Sequence, residues 1–388
     1  MIKKGKKLVA IMISLFLILS ISTFKVKAEG VAINVDAKSA LLMEPVSGKI
    51  LYDKNVHEKF APASVTKIMV MPLTMEFIDS GKIKFSDKVT ISENAKKMGG
   101  SSMILDTGEI RTVEELTKGI AIASGNDAAV AMAEYLEGSE EAFVAKMNDR
   151  AKELNMNDTN FKNCTGLSAV GHLSSAYDIS IMSRELLKHP KILDYTGTYM
   201  ETLSEGRRTP IELVNHNKLV RFFKGCDGLK TGFTDEAKYC ISATANRDGV
   251  RLLVVIMGAP TYKVRNRDAS MLLNYGFSKF ESRKVITKDS DIDKVVLNKS
   301  GEKFFIAKAK NDLTVILQKG IENKINNEIF LYKNKKSYKK GEIVGYCQYY
   351  MNNVYIGKVD IYCDRDIKLS GFIENIKMNF KSIFKNSI

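Results

Sequence analysis

The sequence predicts an α/β or α+β domain followed by a small all-β domain. From about residue 29 to 280, apolar residues at helical spacing mix with short strand-like runs. From about 284 to 366, the runs are short, rich in Val, Ile, Phe and Tyr, and separated by Gly, Asn and Lys. Hydrophobic residues make up 45% of the 388 and charged residues 27%, a balance typical of globular proteins. The first segment is long enough to bury a large core.

Residues 1–28 have the pattern of a secretory signal peptide. Lys3 to Lys7 form a basic region, Leu8 to Phe24 an apolar run, and Val26-Lys27-Ala28 a small-residue cleavage site. The alternative interpretation of this segment is a membrane-anchoring helix. No other run approaches the roughly 20 apolar residues that a spanning helix needs. We therefore expect the rest of the chain to work outside the cytoplasm.

Strands are expected wherever a short apolar run is bounded by turn-forming residues. In the first domain these runs are Ala32 to Val35, Ala40 to Met43, Tyr239 to Ala245 and Arg251 to Met257. In the second domain they are Val295 to Leu297, Phe304 to Ala307, Leu313 to Leu317, Tyr346 to Tyr350 and Val359 to Tyr362.

Residues 367–388 are expected to form a basic amphipathic helix. Six apolar side chains fall on one arc of a helical wheel, and three lysines fall beside them at i, i+4 and i+8. Such a helix favours binding to a membrane surface, and docking on the β domain is the alternative. The apolar residues are Phe372, Ile373, Ile376, Phe380, Ile383 and Phe384, and the lysines are Lys377, Lys381 and Lys385.

The net charge restricts the kinds of molecule that the protein is expected to bind. Of the formal charge of +14, six positive charges are lysines of the leader, and removing them leaves +8. Because the chain lacks arginine-rich stripes with interleaved aromatic residues, we expect no nucleic acid partner, whereas acidic polymers and anionic lipids suit the charge.

The five cysteines are too few and scattered for a disulfide framework. Cys347 and Cys363 could face each other across adjacent strands, although free buried thiols are favoured.

The first chemical motif is Ser64-Val65-Thr66-Lys67, directly before an apolar stretch. At a helix start, the i, i+3 spacing places Lys67 on the same face as Ser64, one turn later. A neutral lysine can accept the serine proton, and burial beside another cation would favour the neutral form. Taken alone, this pattern also fits a serine that caps a helix.

Two further motifs follow in the chain. Ser124-Gly125-Asn126 lies between small apolar residues, which indicates partial burial and a need for hydrogen-bond partners, although a turn or helix cap also fits. Lys230-Thr231-Gly232 precedes a strand-like run, and on an edge strand its glycine would allow close approach of a ligand. Taken alone, Lys230 fits a surface residue equally well.

The order of the three motifs is more informative than any one of them. Among the Ser-x-x-Lys matches after the leader, only Ser64 precedes both later motifs. This ordered trio resembles the active-site set of the penicillin-recognising serine enzymes. Together with Gly125-Asn126-Asp127-Ala128 and Asp227 to Thr234, it is similar to the low-molecular-weight penicillin-binding proteins, specifically the D-alanyl-D-alanine carboxypeptidases of serine peptidase family S11. The resemblance implies a penicillin-binding/β-lactamase-like transpeptidase fold for residues 29–280, and a small β-sandwich for 284–366.

The resemblance also implies a role for each motif residue. Ser64 would be the acylated nucleophile and Lys67 its general base. Ser124 would relay protons between Lys67 and the leaving amine, and Asn126 would bind the substrate amide. The substrate would be a peptidoglycan stem peptide ending in D-Ala-D-Ala, and β-lactam antibiotics would act as inhibitors. The protein would be secreted and act at the outer face of the cytoplasmic membrane or in the cell wall.

The third motif would bind the carboxyl end of the substrate. Lys230 and Thr231 would hold the terminal carboxylate, and Gly232 would allow close approach. The backbone N–H of Phe233 would complete an oxyanion hole with that of Ser64. Some relatives have histidine in place of Phe233; because the oxyanion donor is a backbone group, this departure threatens specificity more than mechanism.

Two arginines compete for a further carboxylate-binding role. Arg265 lies where relatives place such an arginine, and Arg267 is an almost equal candidate. Pro72 falls inside the helix expected after Ser64, which predicts a kink or an early end.

Three other functions were weighed against the carboxypeptidase. A class A β-lactamase needs a separate glutamate, and Glu153 is better interpreted as part of a solvated helix end. A Ser-His-Asp hydrolase is disfavoured because none of the four histidines has a suitable context, so a local structural role is expected for each. The third alternative is a catalytically silent wall-binding scaffold. No metal or other cofactor is expected, because the sequence has no Cys-x-x-Cys or His-Glu-x-x-His motif.

Overall fold

The computed structural model describes residues 33–203, 208–297, 303–321, 324–332 and 337–368. The predicted signal peptide and the apolar stripe beyond residue 371 lie outside the described residues. Among the residues that are described, no helix combines the length and the apolar character needed to cross a membrane.

The first domain mixes helices and strands along the chain. Its elements are β1 (Ser39–Glu44), β2 (Lys49–Lys54), a 3₁₀ turn (Ala63–Thr66), α1 (Lys67–Asp79), β3 (Lys88–Thr90), α2 (Glu93–Lys96), β4 (Ile110–Thr112), α3 (Val113–Lys118), a π-helical turn (Gly119–Ala123), α4 (Asn126–Glu137), α5 (Glu140–Glu153), α6 (Ala176–Leu187), α7 (Ile192–Thr196), β5 (Met200–Leu203), β6 (Ile211–Val214), α8 (Leu219–Phe222), β7 (Cys226–Thr234), β8 (Lys238–Arg247), β9 (Val250–Ala259) and α9 (Tyr262–Lys279).

The main sheet is antiparallel, with strand order β2-β1-β9-β8-β7. Every residue of β1 is buried, and α9 and α6 pack on the sheet. Helix α1 is apolar on all sides and buried from Lys67 to Met75, as expected for a helix enclosed by other helices. It contacts α4, α5 and α6. Because β7 is the edge strand, one of its sides is left unpaired within this sheet.

The second domain consists of strands in its described part. They are β10 (Phe280–Ile286), β11 (Asp291–Val296), β12 (Phe304–Ala309), β13 (Leu313–Gln318), β14 (Ile325–Leu331), β15 (Ser337–Tyr338), β16 (Ile343–Met351), β17 (Val354–Cys363) and β18 (Ile367–Lys368). The largest sheet has the order β11-β12-β17-β16-β14, while β10 pairs with β13 and β15 with β18. One face of the large sheet covers a separate core, which includes Phe305, Val344 and Ile361.

Two predicted elements differ from the structure. Residues 33–35 are not in a strand. The carbonyl of Val35 accepts a hydrogen bond from Lys54 Nζ at 2.6 Å, and the backbone N–H groups of Asp36 and Ala37 donate to the Asp268 carboxylate. The tail helix was predicted from residue 367, but Ile367 and Lys368 form β18. Ile367 packs against the β-domain core and pairs with Tyr338, so its apolar side chain is used in the sheet.

Two smaller expectations also met a different outcome. Helix α1 does not end at Pro72 but continues to Asp79. Cys347 pairs with Val359 in the register of β16 and β17, so it does not face Cys363 across the strands. All five cysteines are free and buried, which agrees with the favoured interpretation.

Asp268 of α9 fastens the chain before β1 to the helix that also carries Arg265. Its carboxylate, which is fully buried, accepts hydrogen bonds from the backbone N–H of Asp36 at 3.0 Å and of Ala37 at 2.9 Å. A buried N–H that loses its acceptor keeps its full desolvation cost. This contact therefore couples the start of the sheet to α9.

We expect Asp268→Ala to lower the free energy of unfolding by roughly 2 to 4 kcal/mol, because one buried and one partly buried donor would lose their acceptor. Equilibrium urea unfolding measures this change. Arg267→Ala is the control, since that side chain is 52% exposed and pairs with the same carboxylate; its effect should be much smaller than that of Asp268→Ala. Equal effects of the two substitutions would contradict this account of Asp268.

Candidate active site

Ser64 lies in the 3₁₀ turn that leads directly into α1 at Lys67. Its side chain is partly buried, and Ala63 before it has a φ of +48°, in the left-handed region that alanine rarely adopts. Strained backbone of this kind persists only where surrounding contacts hold it, and it concentrates at active sites. The turn therefore holds the Ser64 hydroxyl in a defined position beside the first turn of the helix.

The Lys67 ammonium joins three separate segments of the chain. Its Nζ donates hydrogen bonds to Ser64 Oγ at 3.2 Å, to Asn126 Oδ1 at 2.5 Å and to the Thr165 carbonyl at 2.6 Å. Ser64 Oγ itself lies 3.5 Å from the same carbonyl. The first two motifs of the sequence therefore meet at a single nitrogen atom.

Burial sets the protonation of Lys67. The side chain has 0% exposure, and the loss of hydration lowers the pKa of Lys67 to about 7, while Cys164 and Asp127 act in the opposite direction. At neutral pH a large fraction of this amine is therefore uncharged and able to accept a proton. Burial beside a second cation was expected from the sequence, and burial is the largest cause of the lowered pKa.

A tight loop that the sequence analysis did not single out supplies the Thr165 carbonyl. Asn163 Oδ1 accepts hydrogen bonds from Thr165 Oγ1 at 3.1 Å and from Gly166 N at 2.7 Å, which closes an Asx-type turn. Gly166 has a φ of +83°, and a Cβ at this position would lie 1.9 Å from the Ala63 carbonyl oxygen and 2.8 Å from Ser64 N. Glycine is therefore required for this loop to reach the nucleophile.

Strand β7 brings the third motif against the same turn. A Cβ on Gly232 would lie 3.0 Å from Ser64 N, so the strand backbone passes close to the nucleophile. Lys230, on the same side of the strand, is 2% exposed, and its Nζ donates to the Thr231 carbonyl at 2.9 Å. Burial, followed by repulsion from Lys67 and Arg265, lowers the pKa of Lys230 well below its ordinary value.

The second motif is brought to the site by the break between the π-helical turn and α4. Asn126 opens α4, and besides bonding Lys67 its Nδ2 donates to the Gly99 carbonyl at 2.6 Å. Ser124 has a φ of +62°, and its buried hydroxyl has no hydrogen-bond partner among the described residues. In the described structure Ser124 is therefore not hydrogen-bonded to Lys67 or Ser64.

Asp127 holds a loop beside Asn126, a role that the sequence analysis did not assign. Its buried carboxylate accepts hydrogen bonds from Ser102 Oγ at 2.6 Å, Met103 N at 3.0 Å and Leu105 N at 3.2 Å. The backbone N–H of Asn126 also donates to the Ser101 carbonyl at 2.7 Å. The Gly100-Ser101-Ser102-Met103 stretch is therefore fixed against the start of α4.

The two candidate arginines lie in different surroundings. Arg265 is 6% exposed, and burial lowers its pKa to about 10; its positive charge in turn lowers the pKa of Lys230. Arg267 is 52% exposed and pairs with Asp36 at 2.6 Å and with Asp268 at 2.7 Å. Of the two arginines, Arg265 is therefore the buried one whose charge reaches Lys230.

The remaining members of the third motif differ in exposure. Thr231 is 4% exposed, whereas the Phe233 ring is 50% exposed and stacks on Tyr239 with a centroid distance of 4.4 Å. The Phe233 side chain therefore lies at the surface, as expected if its backbone is the functional part.

His172 supports the nucleophile turn from behind. Its Nδ1 accepts a hydrogen bond from Lys162 N at 3.0 Å, so Nε2 carries the proton and donates to Thr66 Oγ1 at 2.8 Å. Burial lowers the pKa of His172 to about 4, which keeps the ring neutral. These contacts agree with the structural role expected for this histidine.

Comparison with known proteins extends these findings. The family model for D-alanyl-D-alanine carboxypeptidase matches residues 24–261, and the model for the C-terminal domain of penicillin-binding protein 5 matches residues 280–369. The D-alanyl-D-alanine carboxypeptidase DacF of Bacillus subtilis (strain 168) is 45% identical over 344 residues, which is 88% of each chain.

Two solved structures are also similar. A peptidoglycan synthesis regulatory factor (PBP3) from Streptococcus pneumoniae is 27% identical with a TM-score of 0.72, and the match covers 86% of this chain and 100% of that one. Penicillin-binding protein D2 from Listeria monocytogenes, in an ampicillin-bound form, is 30% identical with a TM-score of 0.57. That match covers 63% of this chain and 99% of the other.

The comparisons and the geometry lead to the same assignment. The matched models cover both domains, and the three ordered motifs converge on one serine and one lysine. A catalytic domain of mixed helices and strands is followed by an all-β domain of the penicillin-binding protein 5 type. The chain belongs to the D-alanyl-D-alanine carboxypeptidase family of serine peptidases and penicillin-binding proteins.

Proposed function

We propose that the protein removes the terminal D-alanine from peptidoglycan stem peptides ending in D-Ala-D-Ala, through an acyl-enzyme on Ser64. The observation that carries this proposal is the buried Lys67 Nζ, 3.2 Å from Ser64 Oγ, in a pocket that lowers the pKa of the amine to about 7. A nucleophilic hydroxyl needs an adjacent base of this kind. Membership of the family supports the reaction class.

In the acylation step, Ser64 Oγ attacks the carbonyl carbon of the scissile amide, and its proton passes to neutral Lys67. The backbone N–H groups of Ser64 and Phe233 would stabilise the oxyanion that forms. Support comes from Gly166 and Gly232, which let two backbone segments approach Ser64 N closely. Losing one oxyanion donor typically costs about 10²- to 10³-fold in rate.

The carboxylate of the substrate would bind the cationic end of β7. Lys230, Thr231 and Arg265 are all buried there, and burial together with the charges of Lys67 and Arg265 lowers the pKa of Lys230. A carboxylate offers the missing counter-charge and can pair with a guanidinium in a bidentate manner. Asn126 would bind the substrate amide with the second lone pair of Oδ1 or the second N–H of Nδ2, since Lys67 and the Gly99 carbonyl each engage only one.

Ser124 would pass the proton from Lys67 to the departing amine. Its buried hydroxyl lacks a partner among the described residues, and such a group is expected to gain one when a ligand binds. The C–N bond then breaks, D-alanine leaves, and water attacks the ester on Ser64. That attack releases the shortened peptide and returns the proton to the serine.

Persistence of a β-lactam adduct follows from the same surroundings. The hydrogen-bond partners of Lys67 are a hydroxyl, an amide oxygen and a backbone carbonyl, with no carboxylate among them. Glu153, the candidate for the glutamate that a class A β-lactamase needs, lies at the end of α5 and pairs with Arg150 at 2.9 Å. The geometry therefore favours a carboxypeptidase that β-lactams inhibit over a β-lactamase.

The segment beyond β18 would attach the enzyme to the outer face of the cytoplasmic membrane. This proposal concerns residues 369–388, which lie outside the described residues, and it is supported by their sequence pattern of an apolar stripe beside lysines. Cell-wall stem peptides would then lie within reach of the active site.

The purified protein should release D-alanine steadily from a pentapeptide ending in D-Ala-D-Ala, and Ser64→Ala should reduce that rate by about 10³-fold or more. Intact mass spectrometry after exposure to penicillin should show one covalent adduct on the wild type and none on the variant. Lactam hydrolysis without D-alanine release would indicate a β-lactamase. Neither activity would indicate a scaffold, and either result defeats the proposal.

The rate of acylation by a chromogenic β-lactam should rise with pH and level off above about pH 7, because only the neutral amine of Lys67 accepts the serine proton. The direction follows from a lowered lysine pKa: the active form is lost as pH falls through that value. Lys67→Arg is the control, since a guanidinium stays protonated and should be inactive throughout. A flat wild-type profile would exclude Lys67 as the base.

Gly166→Ala should lower the acylation rate by at least about 100-fold, because its new methyl group would meet the Ala63 carbonyl and displace Ser64 N from the oxyanion hole. Gly171→Ala is a matched control in the same loop. Gly171 also has a positive φ of +77°, but a Cβ there would meet nothing closer than 3.6 Å. We expect the control to lose some thermal stability and to keep its acylation rate within a few fold. Equal losses of rate in both variants would count against the proposed contact.

Deletion of residues 371–388 should release the protein from vesicles that contain phosphatidylglycerol, since the apolar stripe and its lysines would be lost. Co-sedimentation measures the bound fraction, and vesicles of phosphatidylcholine alone serve as the neutral control. A triple Lys→Gln change at Lys377, Lys381 and Lys385 should weaken binding and remove most of its salt dependence. Unchanged binding after the deletion would refute membrane attachment by this segment.

A further inference from the structure

The large sheet of the β domain has an outer face on which the side chains form three cross-strand rows. Cross-strand partners in an antiparallel sheet point to the same side, and alternate residues along a strand share that side. We call this surface the aromatic face. Across strands β14, β16 and β17, its rows are Phe330–Tyr346–Asp360, Glu328–Gln348–Lys358 and Asn326–Tyr350–Tyr355.

The aromatic face points away from the domain core. The residues between its members, Cys347 and Tyr349 on β16 and Val359 on β17, are buried in that core on the opposite side. On the outer side, Phe330 is 38% exposed and Tyr355 is 51% exposed. Exposed large apolar groups gathered on one face commonly mark a binding surface.

The rings occupy the two ends of the face. Phe330 and Tyr346 stack with a centroid distance of 5.2 Å and an interplanar angle of 20°. At the other end, Tyr350 and Tyr355 meet edge to face at 6.0 Å. The two pairs are separated by four residues along β16, a span of roughly 13 Å at the rise of a β-strand. A ligand that contacts both pairs must therefore be extended.

Polar groups fill the row between the two ring pairs. Glu328 offers a carboxylate, Gln348 an amide and Lys358 an ammonium, and the Tyr350 hydroxyl donates to Gln348 Oε1 at 2.8 Å. The Lys358 Nζ also lies 5.2 Å from the centre of the Tyr346 ring. Donors and acceptors are thus placed between two flat apolar surfaces.

The charge of the face restricts the kind of ligand. Two carboxylates, Glu328 and Asp360, stand against the single ammonium of Lys358, although the chain as a whole carries +14. Anionic lipid and nucleic acid require the opposite sign. The nine positions contain no aliphatic side chain, whereas an apolar protein partner would be expected to meet some.

We propose that the aromatic face binds the glycan strand of the cell wall, as a chain of uncharged, amide-bearing pyranose units. The C–H faces of such rings are flat and apolar and suit stacking on Tyr and Phe, while hydroxyl and acetamide groups suit the middle row. The choice of this polymer rests on the proposed function, because stem peptides are attached to a glycan. Binding it would raise the local concentration of stem peptides at the active site.

The test uses the purified protein and two soluble, uncharged probes, a tetramer and a hexamer of N-acetylglucosamine. We expect Tyr346→Ala to weaken binding to both probes by roughly tenfold, the order expected when one stacked ring is lost. Tyr346→Phe keeps the ring and should bind as the wild type does. Phe222→Ala removes an aromatic ring that is 72% exposed in the catalytic domain and should also leave binding unchanged.

Three results would overturn the proposal. The first is that the wild type binds neither probe. The second is that Tyr346→Ala, with an unchanged thermal melting curve, binds as the wild type does. The third is that the variant instead loses binding to anionic vesicles or loses a concentration-dependent dimer, which would assign the face to a membrane or to a second copy. If Tyr346→Ala melts early, Tyr355→Ala, at the exposed end of the face, provides the same comparison.

Release of D-alanine from a soluble pentapeptide is measured on the same preparations. The aromatic face lies in the β domain, so its variants should release D-alanine at the wild-type rate from this substrate. Glycan binding without any D-alanine release would defeat the proposed function alone. Full D-alanine release without glycan binding would defeat this inference alone.

Discussion

The burial of one lysine is the constraint on which the rest of the active site depends. An ammonium removed from water is costly unless its protons are accepted, and here Ser64, Asn126 and Thr165 accept them from Lys67. None of the three acceptors carries a full charge. They therefore accept the hydrogen bonds of the ammonium without offsetting the free-energy cost of burying its positive charge. The result is a pKa of about 7 and an amine that can work as a base.

Convergence of distant segments is what makes that burial possible. The turn before α1, the start of α4, the loop around residue 165 and the edge strand β7 all meet around Ser64 and Lys67. Two glycines, Gly166 and Gly232, allow backbone to approach backbone where any side chain would collide. The site is therefore built from main-chain contacts as much as from the motif side chains, and small displacements should matter.

Much of this arrangement could be predicted, because the order of the motifs and the hydrophobic pattern can be recognised in the amino-acid sequence alone. The change from a mixed domain to an all-β domain and the serine and lysine pair were both expected from sequence. The contact between Lys67 and the Thr165 carbonyl was not expected, since every residue has a backbone carbonyl and no residue type marks the one that will be used. The role of Asp127 was not predicted either, because three of its four hydrogen bonds depend on how the loop of Ser102, Met103 and Leu105 folds back. The difference between the two arginines could not be predicted either, since the ion pairs that engage Arg267 form only in the folded chain.

The same electrostatics restrict how a carboxylate can act near the base. A carboxylate placed beside Ser64 to activate water would also lie beside Lys67, and it would stabilise the ammonium and raise its pKa. Asp127, the carboxyl group that does act on Lys67, has its charge taken up by Ser102 and by three backbone N–H groups, which limits that influence. A site that relies on a neutral lysine is therefore favoured where the charge of a nearby carboxylate is taken up by other donors, as that of Asp127 is.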